Sequence, residues 1–265
     1  MPVMKVGPGR ALLYSGVVPW SPALPTTDGG LLPEHWYRSD GPLWQDAGVT
    51  PAVLDGDVVG RWEDLTANAD HVNQVGVVGL KPTLQNAVGD LLGGHPVIRF
   101  DGTDDYLIGP FTTGGAMNQP STVFAVAALD AVAVDAGYKV LIDGDDNVNR
   151  HIMAQGAEAG ADLWYIYAGS QLKGGVSNSS WNIWTAVYNG AVSRFWHNGV
   201  EQCAAGAGWA QNPDGIRIGI NHEATGPWDG DITEVILYDA NLSNADKNQI
   251  GQYLATRYGL TYTDI

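Results

Sequence analysis

The stretch GDITEVILYD, Gly230 to Asp239, followed by the segment from Leu242 to Leu260, decides the fold. The first part is a nearly unbroken apolar run that reads as a buried strand. In the second, Ile250, Tyr253, Leu254, Arg257 and Tyr258 recur at helical spacing, which predicts one amphipathic helix over 243–258. Ser243 is placed as its N-cap, with Asp246 three residues on, and Gly259 as its C-cap. A sheet protein that closes with a single helix is the expectation.

Working upstream, the segments are short and regularly punctuated. Strands are predicted at Pro96 to Phe100, Ser121 to Leu129, Tyr138 to Ile142, Ala161 to Tyr167, Trp181 to Tyr188, Ile216 to Ile220 and Ile232 to Tyr238. Asn189-Gly190 and Asn198-Gly199 sit between strands and favour type I′ hairpin turns, whose two central residues both need positive φ. They make Trp181 to Glu201 a three-stranded meander. Eight or more strands without intervening helices imply an antiparallel sandwich or barrel.

Composition agrees. The 265 residues include 35 Gly and 10 Trp, with only 16% charged, which suits a turn-rich sandwich. The formal charge of −16 repels phosphate backbones and anionic lipid, so nucleic acid is not an expected partner. No apolar run approaches the roughly 20 residues that span a bilayer, so no membrane insertion is expected. Cys203 is the sole cysteine, which rules out an intrachain disulfide and a cysteine-based metal knuckle. The first ten residues lack the charged-then-apolar profile of a secretory signal, so synthesis in a cytoplasm is expected.

Residues 1–33 differ from the rest. Pro2, Pro8, Pro19, Pro22, Pro25 and Pro33 interrupt them too often for a helix or a central strand. Leu12, Leu13, Tyr14, Val17, Val18 and Trp20 are too apolar for a free tail. The segment is expected to be an extended arm or linker that docks on a partner, against the plainer reading of a disordered leader, with 34–265 as one sandwich domain.

Four blocks in order carry a family resemblance. They are Gly60-Arg61-Trp62-Glu63-Asp64 with Asn68-Ala69-Asp70-His71; Lys81 to Leu84 with Pro96 to Asp105; Trp196-His197-Asn198-Gly199; and Glu234 to Tyr238 with Leu242-Ser243 and Tyr253 to Gly259. From about His35 to Leu260 the chain resembles the concanavalin A-like lectin/glucanase superfamily, in its bacterial and phage laminin-G-like branch. The resemblance implies an all-β antiparallel jelly-roll sandwich, with carbohydrate or protein ligands on a concave face or on rim loops. Fold alone does not fix function.

Chemistry is sparse. Glucanases of this superfamily carry Glu-x-Asp-x-Glu on one strand, which puts three carboxylates on one face. No such triplet occurs, and in the last strand Glu234 is followed at alternate positions by Ile236 and Tyr238. Phosphate-loop, dinucleotide, nucleophile-elbow and His-Glu-x-x-His motifs are absent. No catalytic residue is assigned. Asp143-Gly-Asp145-Asp-Asn147 offers oxygens at alternate positions that suit calcium, against the plainer reading of a polar turn. Trp209 and Trp228 lie in Gly/Pro/Asn-rich stretches and are the candidate sugar-stacking faces, against the reading of loop tryptophans that cap the sandwich.

The functional expectation is a non-enzymatic phage virion appendage, a homo-oligomer on a head or tail. Residues 1–33 would anchor it to capsid or tail proteins, and the sandwich would display a surface for host glycans. The alternatives are a secreted or cell-surface carbohydrate-binding module and a polysaccharide-degrading enzyme.

Overall fold

The computed structural model describes residues 20–265 apart from 114, 132–136, 159, 160 and 207–209. The short opening strands are β1 (His35–Arg38), β2 (Leu43–Trp44), β3 (Arg61–Trp62), β4 (Val72–Asn73), β5 (Thr83–Gln85), β6 (Val97–Asp101) and β7 (Leu107–Pro110). Longer strands follow: β8 (Ser121–Leu129), β9 (Tyr138–Asp143), β10 (Ile152–Glu158), β11 (Ala161–Tyr167) and β12 (Gln171–Val176). The chain then forms β13 (Asn182–Tyr188), β14 (Ser193–His197), β15 (Val200–Gly206), β16 (Gly215–Ile218), β17 (Asp229–Tyr238) and helix α1 (Asn244–Tyr258).

Two antiparallel sheets stack as a jelly-roll sandwich. One runs β15-β14-β13-β8-β17-β6-β5, with β1 beside the far half of β17; the other runs β12-β11-β10-β9-β16-β7-β4-β3-β2. Between them lies the main core, where Trp62, Trp164, Trp184 and Trp228 are fully buried. Each such indole removes roughly 150–250 Å² from water, worth roughly 4–6 kcal/mol before entropy is charged against it. His197 packs 4.4 Å from Trp184 and 4.9 Å from Trp164, and burial pushes its pKa down to about 3, so it sits neutral in the core.

A second core forms where α1 covers the outer face of the eight-stranded sheet. Ile250, Leu254 and Tyr258 of the helix pack against Trp36, Phe124, Val126, Ile183 and Ile236. The buried Glu234 carboxylate joins these layers, accepting from Trp36 Nε1 at 2.6 Å and from the Tyr258 hydroxyl at 2.6 Å. Burial raises its pKa, and the hydrogen bonds from Tyr258 and Trp36 oppose that rise. The predicted caps form: Ser243 Oγ accepts from the Asp246 N–H, and Gly259 adopts φ 68°.

The Asn198-Gly199 turn has φ of 49° and 79°, as type I′ requires. The turn at Asn189 differs. Only Gly190 has positive φ, and the chain reaches β14 through a longer turn closed by Val192 and Ser193 N–H groups donating to Asn189 O and Gly190 O. Ser193 Oγ accepts from the Asn189 N–H, so a side chain supplies what a tight hairpin would have made from backbone.

Of the proline-rich segment, residues 20–33 are described, and they dock on the chain's own helix. Trp20 meets Tyr253 edge-on at 5.9 Å, and the N–H groups of Asp28 and Gly29 donate to the Asp246 carboxylate.

Candidate functional site

The two sheets differ in what covers them. The eight-stranded sheet is roofed by α1, whereas no helix among the described residues packs on the outer face of the nine-stranded sheet. Strand alternation decides which side chains that face presents. Leu43, Trp62, Val72, Leu107 and Ile218 point into the core. Their neighbours therefore form one row straight across the sheet: Trp44, Arg61, Asn73, Ile108, Arg217 and Asp143, each directly opposite the next. All but Asp143 are half-buried. A second row, Lys173, Tyr165, Ala154 and Val140, crosses the other end of the same face, with Tyr167 opposite Ile152 beside it.

At the junction of the rows lies Asp143. Arg150 Nε donates to its Oδ1 at 3.0 Å and Nη2 to its Oδ2 at 2.6 Å. The backbone N–H groups of Gly144 and His222 donate to the same carboxylate. Burial works against the charge on Arg150, but the bonds and charge of Asp143 outweigh it and hold the guanidinium pKa above its ordinary value. Arg150 lies 5.6 Å over the Tyr167 ring, and Arg217 lies 5.0 Å over Tyr106. Tyr138, half exposed, meets Tyr165 edge-on at 5.7 Å. At the far end Trp44 Nε1 donates to Glu63 Oε1 at 2.8 Å, which fixes the indole on the surface.

Such a face suits a hydroxylated ligand. Aromatic rings offer negative π-faces to the C–H groups of a sugar, while guanidinium and amide groups supply planar arrays of donors for its hydroxyls. Cross-strand pairing on a rigid sheet fixes the spacing of these groups before a ligand arrives.

The residues singled out from sequence fall unevenly on this geometry. Trp228 is fully buried in the inter-sheet core, 6.1 Å from Trp184, and presents no face to solvent. Its Gly/Pro-rich surroundings read as loop, yet β17 starts at the next residue and draws the indole inward. Trp209 lies outside the described residues. Asp143 belongs to the face as the anchor of Arg150, and its oxygens are taken by that partner and two N–H groups. Asp145 stands apart beside Asp214, where burial and then the Asp214 charge raise its pKa to about 6, and Asn147 is exposed. The loop itself is a polar turn in which Asp146 Oδ1 accepts from the N–H groups of Val148 and Asn149.

Carboxylates do converge elsewhere. Oxygens of Asp101, Asp104 and Asp105 lie within 4.8 Å of one another, close enough to share a cation. Burial, followed by the charges of Asp101 and Asp104, pushes Asp105 up to about 6, although the Asp101 N–H bond opposes this.

Arg217, Tyr106, Arg61, Asn73 and Trp44 escaped the sequence reading. Tyr106 lies just before β7, and the other four sit in strands two to four residues long, so no alternation announces which way they point.

No protein-family model and no curated protein matches the chain. Solved structures do. A GH54 α-L-arabinofuranosidase soaked with a cyclic sulfate inhibitor superposes with a TM-score of 0.63 at 11% identity, over 86% of this chain and 63% of that one. The likeness is one of fold. An arabinofuranosidase complexed with arabinofuranosyl-α-1,2-xylobiose gives 0.61 at 10% identity, over 86% and 63% of the two chains. Trypanosoma rangeli sialidase in complex with the inhibitor DANA gives 0.51 at 13% identity, over 89% of this chain and 35% of that one. The chain thus spans less than two thirds of each of these proteins. The jelly-roll sandwich is shared with chains of glycoside-cleaving enzymes, and this placement is broader than the phage-and-bacterial branch.

Proposed function

We propose that the chain is a non-enzymatic carbohydrate-binding module whose ligand lies across the open face of the nine-stranded sheet. The row from Trp44 to Asp143, with Tyr167 and Tyr138 at its end, carries this reading. It combines half-buried aromatic rings with hydrogen-bonding groups on a rigid sheet face that no described helix covers, although Val140, Ala154 and Tyr165 at its other end are buried. The row's one carboxylate is held by Arg150 and two backbone N–H groups, which leaves it poorly placed to shuttle protons. Glu234 is buried on the far side, under the helix. Both features favour binding over cleavage.

Arabinose-substituted xylan fragments are the first ligands to offer, since one protein of this fold was solved with arabinofuranosyl-xylobiose. Isothermal titration against a panel of neutral oligosaccharides tests the reading. Tyr167→Ala or Arg217→Met is expected to weaken binding about five- to tenfold. A variant that binds as tightly as the parent would remove this face from consideration.

A finer reading places the module on a virion, displayed through residues 1–33 on capsid or tail proteins, as a symmetric oligomer. The apolar character of Leu12, Leu13, Tyr14, Val17 and Val18 supports it, because such a segment gains by ordering on a partner. A secreted or cell-surface module is the other placement, and it uses the same ligand face. Deleting residues 1–19 separates them: loss of particle incorporation supports the virion, while unchanged glycan and cell binding supports the surface module. Any calcium is assigned to Asp101, Asp104 and Asp105 in preference to Asp143, Asp145 and Asn147, whose leading carboxylate already has partners.

A further inference from the structure

On the opposite side of the molecule, a pocket of about 530 Å³ opens between β14, β15 and the first turn of α1. Its walls include Asn189, Arg194, Trp196, Glu201, Asn244 and Lys247. The volume falls in the range of small-molecule sites, roughly 300–1,000 Å³.

Lys247 is the unusual member. It is only 5% exposed, and its ammonium stands 4.8 Å over the Trp196 ring. Among the described residues no carboxylate comes within 4.0 Å of it, and its Nζ has no hydrogen-bond acceptor. Of the two acids on the walls, Glu201 is taken by Arg194 Nη1 at 2.8 Å, and Asp264 Oδ1 accepts from Gln252 Nε2 at 3.0 Å. Lys247 also occupies the first turn of α1, where the positive end of the helix disfavours a cation. Burial lowers its pKa, the Arg194 charge lowers it further, and Glu201 only partly opposes both. The Trp196 ring offsets part of the cost of this placement. An anion in the pocket would offset the rest, gaining from the ammonium, the helix terminus and Arg194 together. The amide side chains of Asn189 and Asn244 on the same walls suit a hydroxylated ligand.

We propose that this pocket is a second saccharide site, selective for a sugar that carries a carboxylate, such as a uronic acid residue. The carboxylate meets Lys247 and Arg194, and the hydroxyls meet the asparagines. The site is independent of the sheet face, which takes neutral glycans in the reading above.

Isothermal titration of the full chain with D-glucuronate, D-glucose and acetate tests it. Glucuronate is expected to bind saturably, with glucose and acetate each about tenfold weaker or more. Lys247→Met is expected to weaken glucuronate about tenfold, and the exposed Arg194→Gln by a smaller factor. If Lys247→Met does not fold, the glucuronate-to-glucose ratio and Arg194→Gln decide the matter. Equal binding of glucose and glucuronate, no binding of glucuronate, or indifference to both substitutions would overturn the proposal. Acetate binding as tightly as glucuronate would overturn the assignment to a sugar. None of these outcomes depends on neutral oligosaccharides or on Tyr167, so the two sites fail separately.

Discussion

Arg150 pins the fully buried Asp143 carboxylate through three hydrogen bonds of 2.6, 3.0 and 3.2 Å, while its guanidinium lies 5.6 Å over the Tyr167 ring. The pair therefore ties the loop after β9 to the open sheet face. Removing the guanidinium strands a buried charge. Arg150→Met is expected to cost about 3 kcal/mol in urea unfolding. Asp143→Asn should cost less, because the Arg150 head keeps some access to water.

Trp228 provides a contrast between core and ligand face. Trp228→Ala is expected to destabilise by about 3–5 kcal/mol, as for other large-to-small core changes. Tyr167→Ala, at a half-buried position, should cost less than about 2 kcal/mol. Chemical denaturation of the two variants side by side gives the comparison; a mild Trp228→Ala would mean that the indole is not in the core.

Asp105 gives a pH dependence with a definite sign. Its folded pKa is raised to about 6 from an ordinary 3.8, first by burial. The folded state thus holds the proton more tightly than the unfolded chain. Its contribution is fully present below pH 3.8 and is lost as pH rises through 6. Asp105→Asn is expected to stabilise at pH 7 by on the order of 1–2 kcal/mol and to flatten the change between pH 4 and 6. A cation shared by Asp101, Asp104 and Asp105 offsets the same penalty, so calcium should raise Tm at pH 7 in the parent and not in this variant.

Asp64 behaves oppositely. Burial alone would raise its pKa, but hydrogen bonds from His35 and from the Thr66 and Trp36 N–H groups hold it below the ordinary value. Its stabilisation is present above pH 3.8 and is lost as pH falls through the folded pKa. Asp64→Asn, which keeps the size and loses the charge, is expected to cost about 2 kcal/mol at pH 7. Acid titration of the parent and the variant should show their stabilities converging at low pH.

Local signals carried much of the fold. Ser243 and Gly259 mark the ends of α1 because capping chemistry is local, and Asn198-Gly199 marks a turn because its backbone excludes most residues. Ser121 to Leu129 and Ala161 to Tyr167 are apolar runs long enough to declare themselves. The ligand face was not legible in the same way. Arg61 and Asn73 sit in two-residue strands and become neighbours only through pairing between strands distant in sequence. Trp228 misled for a related reason: its flanking Gly and Pro describe the local chain, while burial is decided by the start of β17 at the next residue and by Trp184, distant in sequence. Nothing in the sequence singles out Lys247, whose ammonium the fold lays over Trp196.

The most direct test of the open-face account is a titration of the parent and Tyr167→Ala with one neutral oligosaccharide that the parent binds. The account predicts saturable binding by the parent and about a five- to tenfold weaker Kd for the variant, with both proteins folded. Identical Kd values, or a ligand that is cleaved during the titration, would contradict it.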